Sequence, residues 1–342
     1  LKDSTQINLS NYISKRTLYP KIQEASLFDL LYCFKDSGLL KIFNLRLNEP
    51  KHLKCNPDFM DEIFKEISKR YIAGFSFDET VAICKDLNSQ GFELTLDILG
   101  EHTKTKEEAD SITEMYKDVL KTINKNNLKA NISIKPTHIG YDVNPRLFEK
   151  NLSDLALTAD QYSNFVRIDM ESSKTTDGTL NTYRKICQTY NNTGIVLQAY
   201  LFRSEDDLNN LNENSNIRLC KGIYNESEQI AFKRPLDIND NYIKLLEKAF
   251  NKNIYVGIAT HDPELINHSI NLIKSMNIDK SMFEFQMLYG VPMEKHINTI
   301  STHGYKIRIY VPFGPEWYSY SIRRIKENPN ISKYIIQNLF KK

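Results

Sequence analysis

The chain has 342 residues, enough for one large domain or two ordinary ones with a substantial buried core. Apolar residues make up 41% and charged residues 26%, the balance of a globular protein in water. With 45 basic and 43 acidic residues the net charge is only +2, which excludes a global field aimed at nucleic acid or an anionic membrane and leaves partners to be found from a site. Five cysteines (Cys33, Cys55, Cys84, Cys187 and Cys220) are scattered without a CxxC spacing, as reduced thiols in a cytoplasmic protein are. The first residues lack the basic-then-apolar pattern of a signal peptide and no apolar run approaches a membrane span, so the expected location is the cytoplasm.

Taken in chain order, residues 1–75 carry helical periodicity, as in Ile22, Ala25, Leu27, Leu30, Leu31 and Phe34, and predict an N-terminal helical cap. From Phe92 onward the pattern becomes short apolar runs, each followed by a longer amphipathic segment. The runs are Phe92–Leu99, Asn131–Pro136, Phe165–Met170, Gly194–Leu201, Asn216–Lys221, Ile254–Ala259, Met282–Leu288 and Tyr305–Val311. Eight candidate strands with helix-length segments between them predict an α/β fold, a (β/α)8 barrel of the TIM type spanning 76–342. Neither GxGxxG nor GxxxxGK[ST] is present, which counts against a Rossmann domain or a P-loop.

Most of these runs carry polar residues within or just past the strand: Asp97, Lys135, Asp169 and Glu171, Gln198, Arg218 and Lys221, Thr260 with His261 and Asp262, and Gln286. In a barrel such strand ends converge on one mouth, where the active site lies. Strand alternation puts Arg308 and Tyr310 on one side of the eighth run, and Glu284, Gln286 and Leu288 on one side of the seventh. If these point inward, the mouth suits a small anionic molecule beside a larger cofactor. Singly, each residue has a structural alternative. Asp169 could pair with Arg167, and His261 could be a core histidine bonded to backbone. Lys221 could form an imine or give its charge to a phosphate. The histidines show no HExxH and no two-His cluster near a carboxylate, so no metal is expected.

The segment Tyr310–Glu327 closes the argument. Pro312, Gly314 and Pro315 break the preceding strand, and Trp317–Lys326 then reads as a helix closed by Pro329. On it Tyr320, Arg323, Arg324 and Glu327 share one face. Two adjacent guanidiniums repel unless an anion screens them; a solvated basic face is the plain alternative to an anion clamp.

Six segments together resemble the proline dehydrogenase family, closest to its monofunctional bacterial members, in the family's order across roughly residues 70–335: Phe165–Glu171, Val196–Leu201, Arg218–Glu226, Ala259–Asp262, Phe283–Gly290 and Tyr310–Glu327. The resemblance implies a barrel that holds FAD non-covalently and oxidises L-proline to 1-pyrroline-5-carboxylate by hydride transfer, with electrons passed to a membrane quinone. A peripheral visit to the inner face of the membrane would follow. Carried over residue by residue, it implies Arg218 beside the reactive flavin nitrogen, with Gln198 and the backbone near Met170 on the isoalloxazine. Lys221, Gly222, Ile223, Thr260 and His261 would hold the ribityl and phosphate portion. Lys135, Arg323 and Arg324 would bind the proline carboxylate, and Asp169 would orient or neutralise that cationic group. Tyr310, Tyr320 and Leu288 would pack the pyrrolidine ring, and Glu327 would brace an arginine such as Arg218. Ile223 stands where the family commonly has Ala, so the side chain either narrows the site or leans away and keeps hydroxyproline or another cyclic amino acid as an alternative substrate. No aldehyde dehydrogenase module is expected, so any channelling to a pyrroline-5-carboxylate dehydrogenase would need a separate chain. An imine-forming, aldolase-like lyase built on Lys221 or Lys135 is the alternative of another class, and a non-catalytic binding barrel is the weakest one.

Overall fold

The computed structural model describes Ser68, residues 72–291, residues 294–318 and Tyr320. The chain divides into two compact units, Tyr71–Pro315 and a second made of Leu1–Arg70 with Glu316–Lys342. In the second, Ser68, Trp317, Tyr318 and Tyr320 are helical. The remainder of the N-terminal cap expected over 1–75, up to Tyr71, and the expected helix beyond Tyr320 lie outside the described residues.

The first unit is a closed barrel of eight parallel strands in sequence order. Its elements run α1 Phe77–Ser89, β1 Glu93–Ile98, α2 Lys106–Lys125, β2 Ala130–Ile134, α3 Pro145–Gln161, β3 Val166–Ile168, α4 Ser173–Ile186, β4 Thr193–Gln198, α5 Ser204–Asn209, β5 Asn216–Cys220, α6 Pro235–Asn251, β6 Tyr255–Ala259, α7 Pro263–Ser275, β7 Phe283–Leu288, α8 Glu294–Thr302 and β8 Ile307–Phe313. All eight expected strands are present, shifted at their ends. The run Gly194–Leu201 is shorter as a strand, because the chain turns after Gln198 and Leu201 N–H bonds back to the Gln198 carbonyl. Pro312 does not break the last strand as expected. It sits inside β8 opposite Asp97, and its carbonyl accepts from Ala73 N–H, so the missing N–H forfeits one ladder bond only. The chain leaves the strand at Gly314, whose φ of 119° a side chain would resist.

Local chemistry starts and stops the helices. Thr105 and Glu108 form a reciprocal capping box on α2, while Asn144 and Asp262 cap α3 and α7 with Pro at the first helical turn. Six helices end in one motif. After the cap residue comes a left-handed residue (Gly91, Asn127, Ser163, Asn253, Asn277 or Gly304), and the next N–H reaches back across the last turn, as from Phe92 to the Leu87 carbonyl or Ile278 to that of Ile273. The residue that closes each turn leads directly toward the next strand.

Strand alternation then sorts the barrel. Leu94, Leu96, Ile132, Ile134, Ile217, Leu219, Val256, Ile258, Phe285 and Ile309 are all buried in one continuous core with Tyr116, Leu120, Phe148, Leu155, Tyr242 and Leu245 of the helices. Each such side chain contributes about 1.5–3 kcal/mol by leaving water. The alternate positions face inward and are polar: Thr95, Asp97, Ser133, Arg167, Arg218, Glu284, Gln286 and Arg308 are buried. A polar lumen must satisfy itself. Arg167 donates to the Ile195 carbonyl at 3.1 Å, to the Asn216 carbonyl at 2.8 Å and to the Asn216 side chain. Gly194 makes room for it, since a Cβ there would stand 2.5 Å from Arg167 Nη1.

Candidate active site at the C-terminal mouth of the barrel

The N-terminal end of the lumen is closed by Arg308, which bonds Glu284 at 2.6 Å, the Leu94 carbonyl at 2.7 Å and the Glu93 carboxylate. Arg308 therefore does not join Tyr310 at the mouth, although alternation puts both on one side of β8. Beyond Arg308 lies an open cavity of about 850 Å³ lined by the strand starts and by Asn124, Asn131, Asn164 and Asn192.

At the opposite end polar and charged residues in or just past β1, β2, β3, β5 and β8 meet. Lys135 Nζ lies 2.8 and 2.6 Å from the two oxygens of Asp97 and 4.0 Å from Asp169. Asp169 accepts from Ser133 Oγ at 2.7 Å, from Arg218 Nη1 at 2.6 Å and from Tyr310 OH at 2.9 Å. The Arg218 guanidinium lies 5.0 Å from the Tyr310 ring centroid, a cation–π contact. Its Nε donates to Gln286 Oε1 at 2.6 Å, while its Nη2 is buried with no hydrogen-bond partner among the described residues. Arg167 points to the other end of the lumen, so Asp169 pairs with Arg218 and the Arg167–Asp169 alternative is not realised.

Electrostatics discriminate between the roles a lysine could take. Burial alone would lower the Lys135 ammonium, but Asp97 and then Asp169 outweigh it and hold the group above its ordinary value. An imine-forming lysine needs a free amine, so Lys135 is poised as a cation instead. Lys221 is also engaged, donating to Asp262 at 2.5 Å.

The other expected site residues line the same rim. Gln198 is buried and donates to the Glu171 carbonyl at 3.0 Å, next to buried Met170. Thr260 Oγ1 accepts from Asp262 N–H at 3.1 Å. His261 Nε2 accepts from Leu288 N–H at 2.9 Å, and burial pushes its imidazole down to about 4, the bonding of a neutral histidine held by backbone. Gly222 has φ 105°, and a Cβ there would lie 2.2 Å from the Tyr200 ring. Ile223 is 57% exposed. Glu226, farther along the same loop, accepts from Ser173 N–H at 2.7 Å and Ser173 Oγ at 2.6 Å, which fastens the loop to the start of α4. Tyr320 belongs to the second unit, and Arg323, Arg324 and Glu327 lie outside the described residues.

Several members of the constellation had no assigned role in the sequence. Ser133 sits two residues along its strand from Lys135, and Glu284 two from Gln286, so period-2 alternation carried the signal there; Asp97 showed only as a polar residue of the first run. Among the described residues, Glu101, His102 and Glu171 place metal-ligating atoms within 4.8 Å of one another. The Glu171 oxygens already accept from Thr137 N–H and Oγ1, and His102 Nδ1 bonds Asp142.

A closed eight-stranded β/α barrel whose C-terminal mouth gathers two carboxylates, a lysine and a half-satisfied arginine is the build of a TIM-barrel enzyme. The chain belongs to the proline dehydrogenase family, whose sequence model matches residues 81–337. Its reaction is the oxidation of proline to 1-pyrroline-5-carboxylate, and the family is flavin-dependent. Proline dehydrogenase 2 and proline dehydrogenase 1 of Bacillus subtilis strain 168 are each 35% identical to it, over 274 and 278 residues, covering 80% of this chain and 90% and 91% of theirs. Proline dehydrogenase of Deinococcus radiodurans is 32% identical over 289 residues, covering 80% of this chain and 90% of its own. Among solved structures, proline utilization A (PutA) of Bdellovibrio bacteriovorus inactivated by N-propargylglycine superposes with a TM-score of 0.74 at 23% identity, which supports the fold. That match covers 94% of this chain, and this chain spans 40% of that one. No helix among the described residues is long and apolar enough to cross a membrane.

Proposed function

We propose that the mouth of the barrel binds FAD non-covalently beside L-proline and that Arg218 faces the flavin. One observation carries this assignment: every other nitrogen of the Arg218 guanidinium is bonded, and Nη2 is left buried without a partner among the described residues. A buried donor of that kind costs about 1–3 kcal/mol unless an acceptor meets it, and an electron-rich ring nitrogen or carbonyl of the cofactor is such an acceptor. Gly222 supports the fit, because its φ and its contact with Tyr200 bring the chain past the mouth where no side chain would be accommodated. FAD would supply the hydride acceptor.

In this assignment the chain's own residues bind, orient and screen. Gln198, Met170, Lys221, Gly222, Ile223, Thr260 and His261 hold the cofactor. Lys135, kept protonated by Asp97 and Asp169, meets the proline carboxylate together with Arg323 and Arg324. Leu288, Tyr310 and Tyr320 pack the ring. Asp169 holds Arg218, Tyr310 and Ser133 in one arrangement, so the cation offered to the flavin does not wander. Glu327 braces an arginine of the site. Electrons leave to a membrane quinone through a peripheral encounter, from a cytoplasmic protein, and a pyrroline-5-carboxylate dehydrogenase consumes the product.

The visible spectrum of the purified protein tests the cofactor, and anaerobic addition of L-proline tests the substrate. A flavin spectrum that bleaches is the expected result. A protein that binds no flavin on reconstitution would overturn the assignment, and bleaching by hydroxyproline but not proline would redirect the substrate. Arg323→Ala and Arg324→Ala should raise the proline KM while leaving flavin content intact; apoprotein in both would contradict their roles.

A further inference from the structure

We infer that Gln286 and Glu284 of β7 are positioning residues that fix the Arg218 guanidinium and keep its charge available to the flavin, an inference that rests on the cofactor assignment above. Gln286 bridges two ionic groups. Its Oε1 accepts from Arg218 Nε at 2.6 Å and its Nε2 donates to Glu284 Oε1 at 2.7 Å. The orientation of the amide is forced, because a guanidinium only donates and a carboxylate only accepts. Glu284 is in turn fixed by Arg308 Nε at 2.6 Å, and Arg308 by Glu93 and the Leu94 carbonyl. Burial would raise the Glu284 carboxyl, but Arg308 outweighs it and holds the group below its ordinary value, as an anion.

The path runs through the lumen and passes β6 at Gly257. A Cβ there would stand 2.4 Å from Gln286 Nε2 and 2.8 Å from its Cδ, so the strand between Arg218 and Gln286 is bare where the amide crosses it. Gln286 and Asp169 hold the planar guanidinium at two edges, Nε and Nη1, and among the described residues this leaves Nη2 for a ligand. The neutral amide also spaces the Glu284 carboxylate one residue away from Arg218. Asp169 already makes one direct carboxylate contact with Arg218, and a second would further offset the cation that stabilises charge on the reduced ring.

The test compares holoenzymes of the wild type, Gln286→Met, and the double exchange Glu284→Gln with Gln286→Glu. The methionine keeps the volume and removes both hydrogen bonds. The exchange keeps the bonding pattern: the amide moved to position 284 lies between Arg308 and the carboxylate moved to position 286, which now stands against Arg218. Flavin content, flavin midpoint potential by dye equilibration and steady-state constants are measured for each. Gln286→Met is expected to retain flavin, to lose about tenfold in kcat per bound flavin with the proline KM within about threefold, and to shift the reduction equilibrium about tenfold toward the oxidised form, about 30 mV for a two-electron couple. The exchange is expected to recover at least about threefold of that kcat, because two edges are held again, while its potential stays as negative or falls further. A methionine variant with wild-type potential and kcat per flavin, whatever its melting temperature, would overturn the inference. So would an exchange with wild-type potential, which decides the matter if the methionine variant does not fold. Potentials need no proline, so failure of wild-type bleaching sinks the substrate assignment alone; a wild type without flavin sinks both.

Discussion

Asp169→Asn removes one negative charge from the point where the mouth is held together. In the native protein that carboxylate accepts from Arg218 at 2.6 Å, Ser133 at 2.7 Å and Tyr310 at 2.9 Å, with Lys135 at 4.0 Å. At an effective dielectric constant of about 20, a charge pair 4 Å apart is worth about 4 kcal/mol before desolvation, and the Arg218 contact is closer. Removing one member of a buried pair costs about 3–5 kcal/mol, but the remaining Asn oxygen still accepts from Arg218 and Ser133, so the expected loss is about 2–4 kcal/mol. The new NH2 group takes the place of Oδ2 and faces both the Tyr310 hydroxyl and Lys135, neither of which an amide donor can serve as the carboxylate did. Shifts of about 1 Å in orienting groups cost roughly 100-fold, and kcat/KM for proline should fall by about that factor. Urea unfolding of the holoprotein and steady-state kinetics read the two numbers. A variant within about 0.5 kcal/mol and about threefold of the wild type on both would refute the claim that Asp169 organises the mouth.

Gly194→Ala should destabilise the barrel by about 3–6 kcal/mol, overpacking plus one charged hydrogen bond, because its Cβ would meet Arg167 Nη1 and the Asn216 carbonyl at 2.5 Å each and the Phe165 ring at 2.6 Å; denaturant midpoints check this, and a change under about 1 kcal/mol contradicts it. Glu226→Ala should free the loop between β5 and α6 from the start of α4 at a global cost of about 0.5–2 kcal/mol. Proteolytic cleavage within residues 221–234 should then quicken; an unchanged cleavage map counts against the latch. The hydrogen bond it donates to Asp142 holds the His102 imidazole above its ordinary 6.5, so its contribution to stability is fully present below that pH and is lost as pH rises through the raised value. An imidazole titration by NMR should show the raised midpoint and its loss in Asp142→Asn, and a midpoint at or below 6.5 in the native protein defeats the assignment.

Eight strands were legible because the alternation of apolar and polar residues is local: Leu94 and Leu96 face the helices whatever the rest of the chain does. The helix ends were legible in part. Gly91 and Gly304 announce a left-handed turn, whereas Asn127, Asn253 and Asn277 do the same work with a residue that reads as ordinary polar surface. Pro312 misled for the converse reason, since a strand tolerates proline where the backbone loses only one ladder bond. Lys135 and Asp169 stood out near the ends of their runs, whereas Glu284, inside its run, was placed on the inward side by alternation but given no role.

By itself, the sequence determined the barrel, the order of its strands and, through six spaced segments, the family. Tertiary structure alone decided which polar residues share a layer. Arg308 and Tyr310 lie two apart on one strand, yet the first closes the N-terminal end against Glu93 while the second reaches Asp169 at the mouth. Arg218 meets Gln286 from 68 residues away, and Tyr310 meets Asp169 from 141. Which face of a strand a side chain takes is fixed by its own backbone, but its neighbour across the lumen is fixed by the tilt and stagger of a sheet that must close on itself, a property of all eight strands together.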